Sequence, residues 1–152
     1  MLFRSIIREV IELTRTEAAT NSVSVQTAFS ERLPKVVGDR VELQQVVVNL
    51  ILNAIEAMNG TTQSTRRLLI RTAKADSKGI LVAVVDSGPG LPPAGPERLF
   101  EPFYTTKPNG LGIGLSICRS IIEAHGGQLW ASANKPCGTI FQFTVPAKGI
   151  RD

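Results

Sequence analysis

The stretch Arg40-Val-Glu-Leu-Gln-Gln-Val-Val-Val-Asn49-Leu-Ile-Leu-Asn53-Ala-Ile-Glu56-Ala-Met58 decides the fold. It holds no glycine or proline, Asp39 stands before it as a helix N-cap, and Asn59-Gly60 supplies a stop. The spacing predicts one long helix from Arg40 to Met58. Val46, Val47, Val48, Leu50, Ile51, Leu52, Ala54 and Ile55 make it apolar nearly all the way round, which predicts burial on most sides. Glu42, Gln45, Asn49, Asn53 and Glu56 recur by three and four and share the remaining face. A buried amide without a partner costs a few kcal/mol, so Asn49 and Asn53 need partners. Neighbouring backbone is one; a hard cation such as Mg²⁺, which takes oxygen ligands, is another.

Outward from that helix, Phe3, Ile6, Ile7, Val10, Ile11 and Leu13 predict an amphipathic helix between Leu2 and Ala19, and Val23 to Phe29 reads as a strand. Beyond it, strands are predicted over Leu68–Ala75 and Ile80–Val85, joined by the turn Asp76-Ser77-Lys78-Gly79. Asp86 to Gly114 is rich in Pro and Gly, with a short helix near Pro96–Phe100; so long an irregular segment in a compact domain signals function. A second helix fits Ile113 to His125, closed by Gly126-Gly127, and strands follow over Gln128–Ala133 and Thr139–Val145. Sheet and helices are segregated along the chain. The predicted class is α+β: a two-layer sandwich whose mixed, mostly antiparallel sheet of about five strands carries about three helices on one face.

The chain has 152 residues, 43% apolar and 20% charged, the balance of one globular domain. Its 17 basic residues exceed its 13 acidic ones by 4, which suits a polyanionic ligand. No basic run and a single Trp and Tyr argue against a nucleic-acid surface. Cys118 and Cys137 make no metal spacing and are expected as free, buried thiols in a reducing compartment. No stretch approaches the roughly 20 apolar residues of a membrane helix. MLFRSIIREVIELTR is no signal peptide. No direct membrane insertion is expected, and the predicted location is the cytoplasm.

Asp86 ends the apolar run ILVAVV and opens D-S-G-P-G. Its carboxylate either caps a turn or accepts the exocyclic amine of adenine, with Gly88 and Gly90 letting backbone approach a flat ring. Gly110, Gly112 and Gly114 lie directly before the second helix, where exposed N–H groups and the helix dipole favour phosphate. Neither a dinucleotide fingerprint nor a P-loop is present.

In order, N-L-I-L-N-A-I-E-A-M, D-S-G-P-G-L, L-F-E-P-F-Y-T-T-K and G-L-G-I-G-L resemble the N, G1, F and G2 boxes of the sensor histidine kinase catalytic domain, within the superfamily shared with gyrase, heat-shock chaperone and mismatch-repair ATPases. The resemblance runs from about Val36 to Pro146 and implies a Bergerat-type ATP-binding fold with ATP and Mg²⁺. It implies that Asn53 binds the metal, with Asn49 beside it, and that Asp86 receives adenine against Gly88 and Gly90. Thr139 would help hold the base. Phe100 and Phe103 would anchor a mobile lid, with Thr105, Thr106 and Lys107 near the phosphates. Gly110, Leu111, Gly112, Gly114 and Leu115 would close the lid's far end.

Two departures matter. Glu56 and Ala57 stand where many relatives have Lys and an aromatic residue, so no phosphate contact or stacking carries over to them. Asn49 stands where the hydrolysing relatives carry the Glu that activates water. An amide cannot take that proton, which favours a kinase over an ATPase. His125 is followed by Gly126, not by the acidic residue that follows an acceptor, and is expected to bond helix-terminal carbonyls. The implied acceptor is therefore on a separate dimerisation domain of the same kinase, with a response-regulator receiver domain as the onward partner. Residues 1–20 would be the link from that missing hairpin, 21–148 the catalytic domain and 149–152 a tail. A serine or metabolic protein kinase of the same superfamily and a non-catalytic nucleotide sensor are the competing expectations.

Overall fold

Helical spacing of apolar residues at the N-terminus produces α1 (Phe3–Leu13), which buries Phe3, Ile6, Ile7 and Val10. The computed structural model describes residues 2–59, 66–75, 79–91, 95–101 and 114–147. The helix expected between Leu2 and Ala19 is two helices, because α2 spans Arg15–Thr20. Thr14 separates them: its Oγ1 donates to the carbonyl of Val10 at 2.8 Å, the local competition by which a Thr hydroxyl breaks a helix ladder. After β1 (Ser24–Ala28) comes α3 (Arg40–Asn59), the long helix read from the sequence. Asp39 Oδ1 accepts the N–H of Glu42 at 3.0 Å, an N-cap bond. Strands β2 (Arg67–Ala75) and β3 (Gly79–Asp86) follow, then a 3₁₀ turn at Pro96–Phe100, α4 (Gly114–Ala124), β4 (Leu129–Ala133) and β5 (Thr139–Pro146).

The five strands form one sheet in the order β1-β2-β3-β5-β4. β1 runs parallel to β2 and every other pair is antiparallel, so the sheet is mixed and mostly antiparallel. Along β5, Thr139, Phe141, Phe143 and Val145 alternate inward onto the helices. Ile80, Val82, Val84 and Asp86 form the matching row on β3. The helical layer holds four α-helices and the 3₁₀ turn among the described residues, one helix more than expected.

α3 corrects one expectation. By length and composition alone it is long and apolar enough to cross a membrane. Here Leu43, Val46, Val47, Leu50, Ile51, Ala54, Ile55 and Met58 are buried in the core, between the sheet and helices α1 and α4. The amphipathic N-terminal helix packs on this same core. Phe3 meets the Phe143 ring edge-on at 5.7 Å, and Arg40 on α3 pairs with Glu9 on α1 at 2.8 Å. Burying each of the four large α1 side chains contributes about 1.5–3 kcal/mol. Together that is comparable with a whole domain's net stability of about 5–15 kcal/mol.

Candidate nucleotide site

Asp86 ends β3 with its side chain on the helix-covered face, 3% exposed. Its Oδ1 accepts the backbone N–H of Gly88 at 2.9 Å and of Thr139 at 3.1 Å. Burial, the larger influence, pushes the carboxyl above its ordinary value of 3.8, and the bonds from Gly88 and Thr139 pull it back. Two N–H donors on one oxygen fix the rotation of the group, and their cost is local desolvation.

The backbone behind this carboxylate is held as well. Asn134 Nδ2 donates to the carbonyl of Asp86 at 2.9 Å. Gly138 sits at φ 105°, and a Cβ there would lie 1.9 Å from the same carbonyl oxygen, so only glycine fits. A Cβ on Gly88 would lie 3.2 Å from Asp86 Oδ1 and 3.4 Å from the carbonyl carbon of Ala57. Asn134 and Gly138 were not legible as site residues. The turn Asn-Lys-Pro-Cys-Gly before Thr139 reads only as a strand connection.

Ala57 is the link to α3. Ser87 Oγ also approaches Met58 Sδ at 3.5 Å, so the C-terminal turn of α3 packs directly on the Asp86–Gly88 segment. Asn53 and Asn49 precede Ala57 by one and two turns on the same helix face, both half-buried. Near the far end of that row, the thiol of Cys118 on α4 donates to the carbonyl of Val46 at 3.9 Å. The turn of α3 that follows Asn53 therefore lies beside the Asp86–Gly88 segment. Cys118 is fully buried, and burial pushes its thiol up to about 11. Cys137 is in no disulfide but is only half-buried, which corrects the expectation of two buried thiols; its position in a surface turn leaves one side open. Its Sγ donates to the carbonyl of Ser87 at 3.5 Å.

Of the remaining expected residues, Gly90 lies beside Gly138 and Thr139 is buried next to Asp86. Phe100 is buried edge-on to Phe141. Gly114 opens α4 and is exposed, while Leu115 packs partly on the core. Phe103, Thr105, Thr106, Lys107, Gly110, Leu111 and Gly112 lie outside the described residues. Glu56 is exposed. His125 bonds the carbonyl of Ile121 through Nδ1 at 2.8 Å, the helix-terminal role expected. Its Nε2 also accepts the N–H of Asp39 at 3.0 Å and ties the end of α4 to the start of α3. Among the described residues no group of three or more His, Cys, Asp or Glu could hold a metal ion by itself. A cavity of about 480 Å³ opens beside Leu69, Val85 and Lys135; Leu69 and Val85 pair on the uncovered sheet face, so it lies behind Asp86 rather than over α3.

Residues 38–149 match the sequence pattern of the histidine kinase-, DNA gyrase B-, and HSP90-like ATPase family. The chain belongs to that family. Within it, the chain is 43% identical to the sensor protein FixL of Bradyrhizobium diazoefficiens over 143 residues, which are 93% of this chain and 28% of FixL. It is 35% identical to the sensor histidine kinase TmoS of Ectopseudomonas mendocina over 144 residues, 94% of this chain and 15% of that protein. The fold is similar to the nucleotide-free catalytic domain of histidine kinase ThkA, with TM-score 0.81 and 32% identity, covering 97% of this chain and 94% of that one. This histidine kinase-like ATPase domain thus spans 15% of TmoS and 28% of FixL, a minor part of each.

Proposed function

We propose that this chain is the catalytic ATP-binding domain of a two-component sensor histidine kinase. It binds Mg-ATP and passes the γ-phosphate to a histidine on the dimerisation domain of the same kinase, for onward transfer to a response-regulator receiver domain. One observation carries the reading: a buried carboxylate, fixed by two backbone N–H groups, adjoins Gly88, which lies against Ala57 one helical turn beyond Asn53. ThkA has been crystallised in complex with the response regulator TrrA, which supports a receiver domain as partner.

Asp86 is placed to accept the exocyclic amine of adenine; guanine would set a carbonyl against the carboxylate and leave both unpaired. The bonds on Oδ1 keep the group oriented before the base arrives. Gly88, without a side chain, keeps that wall open. Asn53 is a hard oxygen ligand suited to Mg²⁺, with Asn49 beside it. The lack of a carboxylate cluster among the described residues fits an ion that arrives on the phosphates and keeps several waters. Bound Mg²⁺ would neutralise charge on the triphosphate. Asn49 cannot deprotonate water, so the γ-phosphate is held for another acceptor. Both ring nitrogens of His125 are engaged, so it is not that acceptor. Residues 1–20 would lead from the acceptor hairpin, and the domain would work in the cytoplasm or on the cytosolic side of a membrane-bound sensor.

Calorimetry of the chain with ATP and Mg²⁺, followed by mixing with an isolated histidine-hairpin domain, tests the reading. The expected result is nucleotide binding and acid-labile phosphate on the hairpin alone. Absence of binding, or stable acid-labile phosphate on this chain by itself, would overturn it.

A further inference from the structure

Arg119 lies on α4, next in sequence to the Cys118 that bonds the Val46 carbonyl of α3, and meets two other elements. Its Nη1 and Nη2 donate to the Glu97 carboxylate at 3.0 and 3.3 Å. Nη2 also donates to the carbonyl of Leu129 on β4 at 3.3 Å. The guanidinium carbon stands 4.1 Å from the centre of the Phe100 ring. Phe100 in turn packs edge-on against Phe141 of β5, the ring centres 6.1 Å apart. One cation therefore binds the 3₁₀ turn, the sheet and α4 together.

Only arginine can do all of this. The flat fork matches a carboxylate with two bonds while its face covers an aromatic ring; a lysine ammonium offers a point charge and no plane. The Glu97 carboxyl is held below its ordinary value by the hydrogen bond from Arg119 and by its charge.

We propose that Arg119 is a positioning residue for the triphosphate: it sets where α4 stands against the amide face of α3 without touching the nucleotide itself. The physical argument is leverage. Cys118 bonds the Val46 carbonyl of α3, one turn before Asn49, on one side of α4, and Arg119 pins the adjoining side to Phe100, Glu97 and β4. With both sides held, the helix N-terminus at Gly114, whose N–H groups and dipole favour phosphate, has a fixed position relative to Asn49 and Asn53. The adenine end has its own fastening at Asp86, Asn134 and Thr139, so losing Arg119 should be felt by the phosphates and not by the base.

This inference rests on the proposed ATP site, and the test separates the two. Calorimetry measures Mg-ATP and adenosine binding for the wild type, Arg119→Met, Arg119→Lys and Glu97→Gln, with thermal unfolding as a check on folding. Arg119→Met is expected to weaken Mg-ATP about tenfold and adenosine by less than about twofold. Arg119→Lys should fall between it and wild type, and Glu97→Gln should shift the ATP-to-adenosine ratio in the same direction by about twofold. An unchanged ratio in all three variants, or a parallel loss of both ligands, overturns the inference. Should Arg119→Met fail to fold, the ratio in the two milder variants decides. A wild type that binds no Mg-ATP removes the functional reading and this inference with it; a wild type that binds, with unmoved variants, removes only the inference.

Discussion

Asp86 and Glu97 flank the same irregular segment, and the fold treats their carboxylates in opposite ways. Asp86 is nearly sealed from solvent, and burial raises its carboxyl above the ordinary value although two N–H groups oppose the shift. The Glu97 side chain is 76% exposed, and Arg119 lowers its carboxyl. The first is a carboxyl whose ionised form is costly where it sits, which is the arrangement expected of a group waiting for a ligand's donor. The second is an ion already satisfied within the fold. Its use lies in what its partner holds, the Phe100 ring and β4.

The largest test of this contrast is to remove the buried carboxylate. Asp86→Ala leaves the N–H groups of Gly88 and Thr139 without their acceptor and the base without its own. Calorimetry should show ATP affinity down about a hundredfold or more, since hydrogen bonds to charged groups contribute about 1.5–3 kcal/mol each. ATP binding at near wild-type affinity would mean that the base is read elsewhere.

Close behind comes Gly138→Ala. The added Cβ would lie 1.9 Å from the Asp86 carbonyl oxygen at a φ of 105°. Thermal or urea unfolding should record a loss of about 2–4 kcal/mol from overlap and backbone strain. Unaltered stability would show that the cradle behind Asp86 is loose.

A smaller effect, with the opposite sign for stability and function, is expected of Asp86→Asn. The amide oxygen can still accept the two N–H groups, and the desolvated charge is gone. At pH 7 the variant should melt a few degrees higher than wild type and bind ATP more weakly. The pH dependence follows from linkage. A raised carboxyl pKa means that the native chain holds the proton more tightly than the unfolded one, so wild-type stability falls as pH climbs from about 3.8 through the raised value. The variant's advantage should open across that window and vanish below it. A constant difference from acid to neutral pH would contradict the assignment.

Least affected should be the stability of Glu97→Gln. An exposed pair contributes little to folding, so the melting temperature should stay within about 1 °C of wild type. A large drop would show that the Arg119 pair holds up the fold itself, and the contrast with Asp86 would be lost.

Much of this was legible from the chain alone. α3 carries its own start at Asp39, its stop at Asn59 and its apolar surround, and the structure runs it from Arg40 to Asn59. β3 and β5 follow their apolar runs to within a residue or two. The break at Thr14 was not legible, because the six apolar residues that carry the helical spacing all precede it and nothing in the pattern marks a hydroxyl that turns back on the ladder. Nor did apolar content say what α3 is for. The same surface that would suit lipid is met here by the sheet and by α1 and α4.

By itself the sequence determined the chemistry that is available and the period of each element: an Asp after an apolar strand, two Asn on one helix face, glycines before a second helix. Those signals are local, since a helix or strand repeats within a few residues and shows which side chains share a face. Tertiary structure alone decided the pairings across distance. Thr139 gives its N–H to Asp86, Asn134 holds the same residue from behind, Cys118 meets the Val46 carbonyl, and Arg119 reaches Glu97, Phe100 and Leu129 at once. Sheet register and helix packing choose such partners because burial rewards the whole arrangement, and no single segment contains the information needed to rank the alternatives.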